Sequence, residues 1–124
     1  MKHTQGTAIL AAHKYLLDNY PEVFVFGQGL WSPWYVGSTM TDLDKIYGKD
    51  RIIDSPVSEN AVTGIALGSS LNNSKPICIH PRMDFMLLAV DQIVNQAAKL
   101  QQSREVDIQQ TQGQQSQVQQ NTMS

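Results

Sequence analysis

Alternating strand-like and helix-like segments constrain the fold of this 124-residue chain more than any other feature. Residues 22–26, 51–54 and 75–80 are short apolar, β-rich runs, as is typical of buried strands. Residues 7–18, 41–47, 58–71 and 84–100 have the spacing of helices. The alternation predicts an α/β fold, a three-layer α/β/α arrangement in which helices cover both faces of a mostly parallel sheet.

Local signals predict where these helices end and which faces they bury. Gly48 should cap the helix over 41–47, and Ser55 or Ser58 should cap the helix that carries Glu59 in its first turn. The predicted apolar positions of the first helix are Ala8, Ile9, Ala12, Tyr15 and Leu16. Those of the last are Phe85, Leu88, Ala89, Ile93 and Ala97.

The composition divides the chain into residues 1–99, one α/β domain, and residues 100–124. Ten of the last 24 residues are Gln, and none of the 24 is aromatic. Such a segment buries too little apolar surface to offset its ordering entropy, so we expect a disordered tail. The alternative is an extension of the last helix or a coiled-coil contact, although no apolar heptad supports it.

Charge and cysteine content exclude several functional classes. A net charge of −2 and a pI near 5.8, with scattered basic residues, argue against nucleic acid or an anionic membrane surface as partners. The single cysteine, Cys78, excludes an internal disulfide and fits a reducing compartment. No run approaches the about 18 apolar residues of a membrane span. We therefore expect a cytoplasmic protein.

Three loops should meet at one edge of the sheet, because ligands of parallel α/β sheets bind beyond the carboxyl ends of the strands. These loops are 27–29, 56–59 and 80–82. Gly27 and Gly29 do not form a dinucleotide fingerprint, since Ser32 stands where a third glycine is needed. The sequence contains no phosphate loop and no metal-ligand spacing.

Within these loops, Glu59 is the strongest candidate for chemistry. As a first-turn carboxylate it can simply complement the helix dipole, or it can face the cleft and exchange a proton with a ligand nitrogen. Phe85, taken alone, is typical of a core residue, and the alternative is a contact with a ligand ring. Gly64 and Gly68, one helical turn apart, permit close helix approach at a subunit interface.

Three segments together resemble a known family. EVFVFGQG, YGKDRIIDSPVSENAVTGIALGSSL and HPRMDFMLLAVDQIVNQAAK are similar, in order and spacing, to the pyrimidine-binding domain of thiamine diphosphate enzymes. The nearest resemblance is to the beta subunit of the decarboxylating component of 2-oxo-acid dehydrogenases, which is related to transketolase. It covers about residues 5–99.

The resemblance implies roles for individual residues. Glu59 matches the acid that hydrogen-bonds the aminopyrimidine ring of thiamine diphosphate, and Phe85 matches the aromatic residue that packs on this ring. Val57 and Ser58 match the segment that lines the ring, and Gln28 stands where the family often has an acid or amide near the cofactor. His80 and Arg82 are weaker candidates for substrate contacts at the mouth of the site.

The resemblance also implies that the site is shared. The half that holds the diphosphate and magnesium belongs to an alpha subunit, so an alpha partner, beta–beta self-association and an inactive isolated chain are expected. The similarity stops at Lys99, before a further part of the domain, which leaves a strand edge uncovered. Two alternatives remain: a non-catalytic remnant or interaction piece, and a split transketolase-like enzyme acting on sugars.

Overall fold

The computed structural model describes residues 4–123. The strands are β1 (Val23–Gly27), β2 (Ile52–Asp54) and β3 (Lys75–Ile79). The α-helices are α1 (Gln5–Asn19), α2 (Leu43–Tyr47), α3 (Glu59–Ser70), α4 (Met83–Met86) and α5 (Ala98–Met123). Short 3₁₀ turns cover Val36–Ser38 and Leu87–Ala89, and a π-helix covers Gln92–Ala97.

The strands form a parallel sheet with the order β2-β1-β3. Val25 of β1 is aligned with Ile52 on one side and with Ile77 on the other. The prediction of an α/β fold with a parallel sheet is therefore confirmed. Because all three strands run in the same direction, the loops that follow Gly27, Asp54 and Ile79 leave the sheet at one edge.

The core lies between one face of the sheet and the segments around α1 and α2. Val25 and Ile52 are fully buried there against Leu17 of α1 and Leu43 of α2. On the opposite face, α3 packs on β3 and buries Val62 and Ala66. A parallel sheet covered on both sides needs strands that are apolar on both faces, as β1 is.

Helix α1 buries only part of the face that its apolar residues predict. Leu16 packs on the core as predicted, together with Leu10 and Leu17, and His13 is buried as well. The other predicted positions, Ala8, Ile9, Ala12 and Tyr15, are exposed. His13 is compatible with burial because its Nδ1 hydrogen-bonds the carbonyl oxygen of Thr39 at 3.2 Å. The buried face is thus shifted toward Leu10, His13 and Leu17, and the polar His13 gives no apolar signal in the sequence.

Of the two helix caps predicted from the sequence, one is present in the structure. Gly48 ends α2 with φ of 87°, and its N–H donates to the carbonyl of Asp44, which confirms the predicted cap. Ser58 stands at the N-cap of α3, but its side chain makes no capping bond. The hydroxyl of Ser55 is buried without a partner among the described residues, so neither predicted serine cap is formed.

The segment predicted as one helix over 84–100 is divided into α4, a 3₁₀ turn and a π-helix that leads into α5. Of its predicted buried residues only Ala89 is fully buried, while Phe85, Leu88 and Ile93 are exposed. The segment packs mainly on α3, a single helix that covers only a narrow stripe of it. The predicted apolar face is therefore largely uncovered within the described chain.

Residues 98–123 form helix α5 instead of the disordered tail expected for 100–124. The helix is thus the alternative extension, and Lys99 does not mark a break in structure. Gln, Glu, Lys and Arg all favour helix, and proline is absent from this part of the sequence. Residues 101–123 are all exposed. No helix in residues 4–123 combines the length and apolar character of a membrane span.

Candidate functional site

Two sequence-predicted site residues meet at the carboxyl edge of the sheet. Gln28 directly follows β1, and Glu59 opens α3. The Gln28 Nε2 amide donates to Oε1 of Glu59 at 3.2 Å. Glu59 is only 6% exposed, and its Oε2 accepts no hydrogen bond from residues 4–123. A buried carboxylate with one oxygen held and the other free can accept from, or protonate, a ligand nitrogen.

The loop after β1 is held against the end of β2 by a second contact. The Gly29 backbone N–H donates to Oδ1 of Asp54, the last residue of β2. Gly29 has φ of 68°, a conformation that costs glycine little and turns the chain back over the strand end. This contact fixes the loop that carries Gln28, so it indirectly positions the amide that meets Glu59.

His80 lies beside α3 at the end of β3. Its Nε2 is 2.9 Å from Oγ1 of Thr63, which is one helical turn after Glu59, and 3.6 Å from Sγ of Cys78. Burial raises the pKa of the Cys78 thiol. The imidazole is therefore tied to the same helix as the carboxylate, although no direct contact joins His80 to Glu59.

The remaining predicted residues lie on the surface of this edge. Val57 is 80% exposed and Ser58 is also exposed, so neither is closed off from a ligand. Phe85 is 44% exposed, and the guanidinium carbon of Arg82 lies 5.9 Å from the centre of its ring. Phe85 is not a core residue, and its ring is available for contact from outside.

The aromatic loop after β1 serves two purposes. Trp31 is anchored, since its indole N–H donates to the carbonyl of Ile52 at 2.8 Å and Lys49 lies 4.2 Å from its ring centre. Tyr35 is buried in the core cluster, whereas Trp34 is 84% exposed. Trp31 and Tyr35 therefore attach the loop to the body of the domain, whereas Trp34 presents an open apolar surface.

Two residues of this edge were not singled out from the sequence. Asp54 could have been found, because it ends a strand at the edge where ligands of parallel sheets bind. Thr63 carried no such signal, since a threonine within a helix is common and its importance depends on which strand packs beside it. Among residues 4–123, no group of His, Cys, Asp and Glu side chains is placed to hold a metal ion.

The fold and this edge define a class of protein. Residues 2–113 match the family described as transketolase, pyrimidine binding domain, and the chain belongs to that family. The match continues past Lys99, the last residue of the resemblance seen in the sequence, and reaches into α5.

Curated relatives specify the part of the family that this chain is similar to. It is 31% identical over 93 residues to 2-oxoisovalerate dehydrogenase subunit beta of Bacillus subtilis, which covers 75% of this chain and 28% of that protein. It is 36% identical over 83 residues to the mitochondrial pyruvate dehydrogenase E1 component subunit beta of Homo sapiens, 67% of this chain and 23% of that protein. The chain thus spans about a quarter of the length of these relatives.

Proposed function

We propose that this chain supplies the pyrimidine side of a thiamine diphosphate site in a 2-oxo-acid dehydrogenase that carries out oxidative decarboxylation with acyl transfer. The Gln28–Glu59 pair is the observation that carries the proposal. It puts a buried carboxylate, with one oxygen unbound, at the edge where the pyrimidine-binding family is expected to bind its ring. The relatives named as dehydrogenase beta subunits support this choice of reaction.

The residues of the edge fit such a ring. Glu59 would exchange a proton with a pyrimidine nitrogen through Oε2, while the Gln28 amide holds Oε1 and fixes the carboxylate plane. Phe85 offers a partly exposed ring face for packing, and Val57 and Ser58 border the same edge. When bound, thiamine diphosphate supplies the carbanion chemistry, and this chain contributes orientation and proton transfer.

We further propose that an alpha-type subunit completes the site and holds the diphosphate and magnesium. The segments that follow the three strands each carry a large exposed apolar side chain: Trp34 at 84%, Val57 at 80% and Met83 at 71% exposure. Exposed apolar residues on the segments that leave this edge of the sheet are typical of a surface that a partner covers.

Self-association through α3 is a second proposed contact. A Cβ added at Gly68 would meet no atom within 4 Å, so this face of the helix is open. At Gly64, the nearest atoms to an added Cβ belong to the Gln92 side chain, with the closest at 3.2 Å.

The half-buried single thiol of Cys78 fits a reducing compartment, and we propose a cytoplasmic location.

A reconstitution experiment tests the proposal. The chain is combined with an alpha-type subunit of a 2-oxo-acid dehydrogenase, thiamine diphosphate and Mg²⁺, and decarboxylation of pyruvate and of 2-oxoisovalerate is measured. Glu59→Gln should lower turnover at least about 100-fold and leave assembly intact, because proton transfer contributes about 10²–10⁴-fold. Glu105→Gln is the matched control, since Glu105 also accepts from a Gln amide but lies exposed on α5.

The alternatives give different outcomes in the same experiment. An assembled complex that is inactive with both oxo acids and transfers ketol groups between sugar phosphates would identify a split transketolase-like enzyme. A chain that assembles but neither binds thiamine diphosphate nor turns over substrate would be a non-catalytic interaction piece. Wild-type turnover in Glu59→Gln would contradict the role of Glu59.

A further inference from the structure

The end of β2 holds the backbone on both sides of Gln28. The N–H of Ser55 donates to the carbonyl of Gly27 at 2.8 Å, and this carbonyl belongs to the peptide bond that precedes Gln28. The N–H of Gly29, which belongs to the peptide bond that follows Gln28, donates to Oδ1 of Asp54. Two consecutive residues, Asp54 and Ser55, therefore bind both peptide groups that flank Gln28.

Close packing leaves the neighbours of Gln28 little room to move. A Cβ added at Gly27 would lie 2.7 Å from the carbonyl oxygen of Ile79, so the chain runs directly against β3 there. A Cβ added at Gly29 would lie 3.7 Å from the ring of Tyr35, which is buried in the core cluster. The backbone of Gln28 is thus fixed at both ends, and its side chain reaches Glu59 from this fixed position.

This arrangement depends on one side chain, that of Asp54. The bond from Ser55 to Gly27 joins two backbone groups, so it requires only that position 55 is not proline. The Gly29 N–H is bonded by a carboxylate instead, and a charged acceptor makes this the stronger of the two bonds. Glu59 follows Asp54 by only five residues, so the end of β2 sets the place of the Glu59 carboxylate as well as that of Gln28.

We propose that Asp54 is a positioning residue of the site. Through the Gly29 N–H it sets the direction from which the Gln28 amide meets Oε1 of Glu59, and it thereby sets the plane of the carboxylate. The consequence for the reaction rests on the proposed function, since it requires a pyrimidine nitrogen opposite Oε2 of Glu59. The alignment of Gln28 by Asp54 does not rest on it and is tested separately.

Two substitutions separate the position of the Asp54 carboxylate from its charge. Asp54→Asn keeps an acceptor oxygen in place and removes the charge, whereas Asp54→Glu keeps the charge and moves the oxygens outward by one methylene. In the reconstituted complex, Asp54→Glu should lower kcat about 10–100-fold, because a misplacement of about 1 Å in a site can cost about 100-fold. Asp54→Asn should stay within about fivefold of the wild type, which corresponds to about one neutral hydrogen bond.

A double variant tests whether Asp54 acts through Gln28. In the Gln28→Met background the amide that Asp54 aligns is gone, so adding Asp54→Glu should lower kcat by no more than about twofold further. A general loss of stability would instead lower activity in both backgrounds. Asp50→Asn is the matched control, since Asp50 is exposed, lies just before β2 and makes no side-chain hydrogen bond within residues 4–123. It should leave kcat unchanged.

The chain without cofactor or partner gives a measurement that is independent of the proposed function. ¹⁵N NMR of the labelled chain follows the backbone amide of Gly29 and the side-chain amide of Gln28. Asp54→Glu should shift both signals and move that of Gln28 toward its position in Glu59→Ala, where the acceptor is absent. Asp54→Asn should leave the Gln28 signal close to its wild-type position, and Asp50→Asn should leave both signals unchanged.

Three outcomes would overturn the role of Asp54. Higher kcat in Asp54→Glu than in Asp54→Asn would show that the charge matters and the position does not. Equal losses of kcat from Asp54→Glu with and without Gln28→Met would show that Asp54 does not act through Gln28. An unshifted Gln28 signal in Asp54→Glu would show that the two are not coupled. A wild-type complex without turnover would contradict the proposed function alone, because the NMR measurement still decides whether Asp54 aligns Gln28.

Discussion

Nε2 of Gln28 lies 3.2 Å from Oε1 of Glu59 and joins two residues that are 31 positions apart in the chain. Gln28→Met should remove the donor and leave a carboxylate at 6% exposure without it, which costs about 1–3 kcal/mol. Urea denaturation measures the loss. Gln101→Met is the control, because Gln101 makes a comparable bond to Glu105 on an exposed helix and its loss should cost less than about 0.5 kcal/mol. Equal losses in the two variants would contradict the buried character of the pair.

Arg51 connects β2 to the end of α1 and the start of β1. Its guanidinium donates to the backbone carbonyls of Leu17, Tyr20 and Val23 at 2.9–3.2 Å. We expect Arg51→Met to lower the free energy of unfolding by about 2–3 kcal/mol, since bonds from a charged donor are lost together. Thermal and urea unfolding would measure this. Lys45→Met, which removes an exposed ion pair with Asp42, should change stability by less than about 1 kcal/mol.

The ion pair between Glu22 and Lys75 should make stability depend on pH. Nζ of Lys75 lies 2.9 Å from Oε1 of Glu22, and this bond lowers the pKa of Glu22 and raises that of Lys75. The Glu22 contribution is complete above its unfolded-state pKa, near 4.5, and is lost as the pH falls through the lowered folded-state pKa. The Lys75 contribution is complete below about 10.5 and is lost as the pH rises through the raised value.

Urea midpoints at pH 2–7 for the wild type and Lys75→Met test this linkage. The variant should lose less stability between pH 5 and 2 than the wild type, because its Glu22 no longer has the Lys75 hydrogen bond, which is the largest cause of its lowered pKa. Added salt at about 1 M should reduce the difference, since the side chains of Lys75 and Glu22 are 61% and 32% exposed and the pair is therefore open to screening by ions. If the urea midpoints of the two proteins fell equally between pH 5 and 2, the ion pair would not be formed.

The thiol of Cys78 should react slowly. Its pKa is raised by burial, which outweighs the opposing hydrogen bond of Thr63, and the thiolate is the reactive form. We expect alkylation by iodoacetamide at pH 8 to be at least about tenfold slower in the folded chain than in urea. A Cys78→Ser, Ser103→Cys variant carries an exposed thiol on α5 and should react at the unfolded rate. Similar rates for both folded proteins would refute the burial of Cys78.

Replacing either of two helical glycines by alanine should change stability, in opposite directions for the two positions. A Cβ at Gly6 would overlap the backbone carbonyl of Gly37, which cannot move aside as a flexible side chain can. Gly6→Ala should therefore cost about 1–3 kcal/mol despite the better helix propensity of alanine. Gly68→Ala, with no atom within 4 Å of the added carbon, should stabilise the isolated chain by about 0.5–1 kcal/mol. Chemical denaturation of both variants measures these changes in the free energy of unfolding.

Local patterns in the sequence determined the alternation of strands and helices, the parallel sheet and the glycine cap of α2. Each of these depends on interactions within a few residues, or on the rule that strands joined through helices run parallel. The same rule placed the loops of Gln28, Glu59 and His80 at one edge of the sheet. The sequence therefore predicted where a site should lie.

Only the tertiary structure decided which side chains meet there and which faces are buried. The bond between Gln28 and Glu59, the contact of His80 with Thr63 and the burial of His13 all join residues at least 17 positions apart. The exposure of Phe85 likewise depends on α3 being the main element that its segment packs against. Periodicity encodes an apolar face, but which surface covers that face depends on contacts between distant parts of the chain.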